Sequence, residues 1–67
     1  MTYSDVTRDF REKRAELERT GYNLYGFKDG FEATLKEAKL LRKWGFSVKI
    51  IASPSSEGLY YIYTKKP

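Results

Sequence analysis

Asp29-Gly-Phe-Glu-Ala-Thr-Leu-Lys-Glu-Ala-Lys-Leu-Leu-Arg-Lys-Trp-Gly45 is the stretch in which a helix start, a sustained period and a helix stop coincide. Phe31, Leu35, Ala38 and Leu41 recur at three- and four-residue steps, with Thr34 on the same stripe, which makes one apolar face at helical period. Asp29 can accept from the free amides of the first turn while Glu32, three residues on, reaches back to the amide of Asp29, the pattern of a capping box. Gly45 closes the helix, because a residue without a Cβ takes the left-handed conformation freely. The spacing therefore predicts a central helix over 29–44.

Downstream, Phe46, Val48, Ile50 and Ala52 alternate with Ser47, Lys49 and Ile51, which predicts a strand over 46–52 with the first set facing the helices. Ser53-Pro-Ser-Ser-Glu-Gly58 is a turn cluster, and Leu59-Tyr-Tyr-Ile-Tyr-Thr64 with Lys65 predicts a second strand over 59–65, so the two form a hairpin. Lys65-Lys66-Pro67 blunts its end. Upstream, Tyr22-Asn-Leu-Tyr-Gly-Phe27 predicts a strand over 22–27, with Tyr22 and Leu24 on one face and Tyr25 and Phe27 on the other. Gly26 weakens or bends it.

Before that strand, Ser4 as N-cap and Gly21 as stop bound a helix over 4–20. Its apolar stripe is narrow, Val6, Phe10 and Leu17 with Ala15 to one side. Charges fill the rest, and Asp9 to Lys13 and Arg14 to Glu18 lie four apart. Five acids balance five bases over residues 1–27, so a solvated helix docked by a few side chains is expected rather than a basic arm.

The element order α-β-α-β-β implies an α+β fold, a two-layer sandwich in one small domain of 67 residues. A right-handed crossover through the central helix lets the last strand lie between the first two, antiparallel to both, in the order 2-3-1. Both helices are then expected on one face of a mainly antiparallel sheet whose other face is open. A winged helix would need two helices joined by a short turn before its hairpin, and residues 29–44 run without a break.

A chain of this length buries only about 60% of the surface its unfolded form exposes, and with no cysteine neither a disulfide nor a thiolate site can compensate. The six Tyr, four Phe and one Trp then serve first to crowd a thin core. No signal peptide or apolar run of membrane-spanning length is present, and the chain begins at Met1, which points to a complete, cytoplasmic protein without membrane contact.

Ile62 inside and Lys65 outside set the register of the last strand, which stands Tyr61 and Tyr63 on the open face beside Lys49 and Ile51, with Tyr25 or Phe27 joining from the first strand. Rings and ammonium groups on an open sheet can bind single-stranded DNA or RNA, bases on the rings and phosphates near the lysines. The whole excess of +4 lies in residues 28–67, which carry eight bases against four acids, and Lys39, Arg42 and Lys43 crowd the end of the central helix, with Lys65 in the tail. These cations equally complement a helix C-terminus. The ring-bearing face could instead be covered by a protein partner or by a second copy. Trp44, beside Gly45, either closes the core or offers a stacking ring.

Catalysis has little to work with. Histidine and cysteine are absent, the Ser53, Ser55, Ser56 and Glu57 cluster is accounted for by a turn, and neither nucleotide-loop spacing occurs in Tyr25–Gly30. The nine acids are scattered, so no metal or cofactor is expected and the chain reads as a non-enzymatic binding domain. Over residues 21–66, the Tyr-rich first strand, the following helix, the Gly45-Phe46-Ser47-Val48 strand start and the aromatic last strand loosely resemble the SPOR type of small domain. That resemblance is one of element order and carries no residue role or activity to this chain.

Overall fold

The computed structural model describes residues 3–67, with side chains from residue 8 onward. Helix α1 spans Tyr3–Arg19, strand β1 Asn23–Asp29, helix α2 Phe31–Lys43, strand β2 Ser47–Ala52 and strand β3 Leu59–Lys65. The sheet is antiparallel throughout in the order β1-β3-β2, so the last strand is central, as the chain order implies. Ser4 and Val6, expected to cap and to dock the first helix, carry side chains outside the described residues.

Pairing sorts the residues of β3 onto two faces. Ile62 lies opposite Ile50, while Tyr61 lies opposite Ile51 and Tyr63 opposite Lys49, the register that the alternation predicts. On the Ile62 face sits α2: Ala38, Val48 and Ile62 are buried together, with Leu41, Phe46 and Ile50 packed around them. Thr34 is fully buried there, its hydroxyl donating to the carbonyl of Gly30 at 2.7 Å, which satisfies the one polar group on the helix's inner face.

On the opposite face sits α1, and here the structure corrects the expected arrangement. The Phe10 ring lies 5.4 Å from that of Tyr61, and Arg14 Nε donates to the Tyr63 hydroxyl at 2.8 Å. One helix therefore covers each face, and no open sheet face of tyrosines remains. The physical reason lies in β3 and its neighbour β2: Tyr61 and Tyr63 of the one and Ile51 of the other leave that face as apolar as the opposite one, and a sheet apolar on both sides is stable when both are covered. Phe10, Arg14 and Leu17, spaced four and three apart, are the half-buried residues that α1 turns inward. Arg14 is thus drawn under the helix rather than out toward Glu18, whereas Lys13 and Asp9 form their expected pair at 3.4 Å.

Two further corrections concern β1 and its junction with α2. A bulge between Leu24 and Gly26 slips the strand by one residue, so Leu24 and Phe27 share the α1 face, opposite Tyr63 and Tyr61. Tyr25, the extra residue, swings the other way and donates to Glu37 of α2 at 2.7 Å, so Tyr25 and Phe27 do not share a face. The capping box also fails to form. Asp29 is the last residue of β1, paired with Leu59, and the N-cap is Gly30, without a side-chain hydrogen bond. The Gly30 amide is instead taken by the Gly58 carbonyl of the hairpin loop at 2.7 Å.

Gly30 holds φ 94° and ψ 134°, a backbone region that only glycine enters cheaply. A Cβ there would meet nothing within 4 Å, so Gly30→Ala is a test of backbone strain alone, expected to remove about 1–3 kcal/mol. Gly26 has equally open space without a positive φ, and Gly26→Ala should stay within about 0.5 kcal/mol of the parent. Urea titrations of the two variants check this; equal midpoints would remove the strain argument.

Candidate functional site

Both helices finish at the same end of the sheet and in the same way. At the end of α1, the Tyr22 amide bonds to the Leu17 carbonyl (2.8 Å) and that of Gly21 to Glu18 (3.2 Å); at the end of α2, Phe46 bonds to Leu41 (3.1 Å) and Gly45 to Arg42 (3.0 Å). These are Schellman closures, with Gly21 at φ 96° and Gly45 at φ 98° as the sequence predicts. The end of β3 runs between them. A Cβ on Gly21 would lie 3.3 Å from the Lys65 side chain, and one on Gly45 would lie 3.7 Å from Pro67. Arg19, Lys43, Trp44, Lys65 and Lys66 therefore gather where two helix C-termini converge, while Asp29, Glu32 and Glu57 lie at the other end, where α2 begins and the hairpin turns. Opposite charges at the two ends complement the helix dipoles.

The expected sheet-face residues are not brought together as a surface. Tyr63 has no exposed area, and Tyr61 is half-buried between Phe10 and Phe27, whose ring lies 6.1 Å away. Lys49 is exposed on the α1 side, at a groove of about 440 Å³ that α1 forms with β2 and that Leu17, Tyr22 and Ile51 also line. Tyr25 is exposed but held by Glu37, whose hydrogen bond and then negative charge raise the phenol above its ordinary pKa. Lys65 places its ammonium 5.9 Å from the Tyr22 ring, a cation–π contact. Arg42 turns toward the strand edge, donating to the Val48 carbonyl at 3.4 Å.

What remains outward is the far side of α2. Lys36, Leu40, Lys43 and Trp44 fall within one arc of the helix, with Lys39 on its border. Trp44 is 73% exposed and Leu40 50% exposed, so neither closes the core. Sequence periodicity could have marked Leu40, which stands opposite the buried Ala38 on the helix, as an apolar residue out of place. Among the described residues, no group of His, Cys, Asp and Glu is arranged to hold a metal ion, and no helix is long and apolar enough to cross a membrane. No family model matches the chain, and no curated protein or solved structure proves similar to it.

Proposed function

We propose that this chain is a small, non-enzymatic, cytoplasmic binding domain that takes single-stranded nucleic acid at its basic end, with Trp44 as the stacking ring and Lys39, Lys43 and Lys65 near the phosphates. The observation that carries the reading is Trp44, among the described residues the most exposed of the large apolar side chains, on the same helical turn as lysines. A base stacked on an aromatic side chain contributes about 1–3 kcal/mol, and phosphate contacts make the binding fall with salt.

The test is a titration of labelled single-stranded DNA and RNA at low and physiological salt, read by anisotropy and by amide shifts. Shifts at residues 39–45 and 65–67 that fade as salt rises are expected. Trp44→Ala should weaken binding by roughly 5- to 150-fold while leaving stability within about 0.5 kcal/mol, because the side chain buries little. Silence at both salts would overturn the reading. Leu40, one turn before Trp44 and half exposed, favours a second reading in which the same arc docks a protein partner, with binding that salt barely changes.

A further inference from the structure

Of the two sheet edges, β1 is interrupted by its bulge, whereas the six residues of β2 pair with β3 in unbroken register. Bulges blunt an edge against pairing; a regular edge stays available. The direction of its free groups follows from the hairpin. Ser53 N–H donates inward to the Leu59 carbonyl at 2.8 Å, so by alternation Ile51, Lys49 and Ser47 bond toward β3. Val48, Ile50 and Ala52 therefore point their amides and carbonyls outward. Arg42 at the Val48 carbonyl agrees with this, and that oxygen has a second lone pair to offer.

We propose that β2 is a dimerisation edge, along which two copies of this chain pair antiparallel about a two-fold axis at Ile50, forming one six-stranded sheet. The position of the axis follows from the residues. An axis at Lys49 would set two ammonium groups directly opposite, which is destabilising. An axis at Ile51 would set Pro54, which has no amide hydrogen, opposite the outward groups of Val48. With the axis at Ile50, that residue pairs with itself, Val48 pairs with the partner's Ala52 and Ala52 with the partner's Val48. Each Lys49 then lies across from the partner's Ile51, its alkyl stem on apolar surface and its ammonium free to reach water.

The groove between α1 and β2 fits this occupant. Its two parts, about 440 and 290 Å³, share Lys13, Ile50 and Ile51 and run along the edge past Leu17 and Phe10. The second copy would reach that groove with its own Lys49, which is exposed, while Ile51 stays buried under its own α1. Charge complements as well: antiparallel pairing sets the end with Lys43, Lys65 and Lys66 of each copy along the end with Glu32 and Glu57 of the other.

Sedimentation of the whole chain over a concentration series, with hydrogen exchange of the Ile50 and Ala52 amides, tests the proposal. A concentration-dependent dimer is expected, in which both amides are protected. Ala52 is exposed and its amide faces outward, so Ala52→Pro removes no bond within the hairpin. It should raise the dissociation constant at least about tenfold, since a donor is lost in each copy, with the circular dichroism spectrum unchanged. A protein that stays monomeric to millimolar concentration overturns the proposal. So does a dimer in which the Ile50 and Ala52 amides exchange freely, a readout on the parent chain that holds even where Ala52→Pro fails to fold.

Discussion

Tyr63→Ala is expected to remove a large part of the protein's stability. The ring has no exposed surface and its hydroxyl accepts from Arg14. Truncating a large buried ring costs about 3–5 kcal/mol, and a domain of 67 residues has only roughly 3–10 kcal/mol to lose. The substitution removes the central packing surface under α1 and leaves the guanidinium of Arg14 without its acceptor. Tyr63→Phe separates the two effects: it keeps the ring and removes the hydroxyl, so it should cost about 1.5–3 kcal/mol, the range for a hydrogen bond to a charged group. Urea titrations of both variants provide the check. A folded, near-parental Tyr63→Ala would mean that α1 does not cover this face.

Its neighbour fails differently. Ile62→Ala is expected to cost about 2–5 kcal/mol, because Ile62 is 1% exposed in the cluster that holds α2, β2 and β3 together. Whereas Tyr63→Ala first frees α1, Ile62→Ala strikes the contacts that α2, β2 and β3 share. Native-state hydrogen exchange distinguishes them. In a mildly destabilised background, Tyr63→Phe should speed exchange in α1 ahead of the sheet, and Ile62→Val should speed both together. Parallel acceleration in both variants would show that α1 and the sheet open as one unit.

Much of this architecture is legible in the sequence. The alternation of β2, the Pro and Gly of the hairpin turn and the position of Ile62 suffice for the hairpin and the β3 register, because a one-residue slip would turn every apolar side chain of the strand to the other face, and the apolar composition of residues 59–64 points to the central place of β3. The two glycine helix stops were equally plain. What misled is that Leu59-Tyr-Tyr-Ile-Tyr-Thr64 alternates between two apolar sets. Tyrosine is polar enough to suggest an open face and large enough to fill a closed one, so the ring content alone could not decide it. The half-buried Phe10, Arg14 and Leu17 of α1 decide it, and in the sequence Arg14 reads as one more surface charge. The bulge at Tyr25 and the glycine cap at Gly30 are harder to read for another reason: the first depends on how β1 pairs with Tyr63 and Ile62, the second on the hairpin loop's Gly58 at Gly30, and both are contacts between residues far apart in sequence. Tyr63 belongs to the core and Tyr61 is half-buried between Phe10 and Phe27, while Trp44 stands out on the surface.

Strand order also governs when this protein can fold. β1 and β2 have no hydrogen bond to each other, and both pair only with β3, which follows them in the chain. On a translating ribosome, α1 and α2 can form as local helices, but neither strand has a mate until residues 59–65 have left the exit tunnel. The sheet is then completed in a single event rather than strand by strand. A nascent chain with β2 outside the tunnel and Leu59 onward still inside it would carry two unsatisfied strands and an exposed apolar helix face, the condition in which a chaperone is most needed. Arrest experiments on the chain extended by a linker, with residues 59–65 held inside or just outside the tunnel, would register as an abrupt onset of protease resistance.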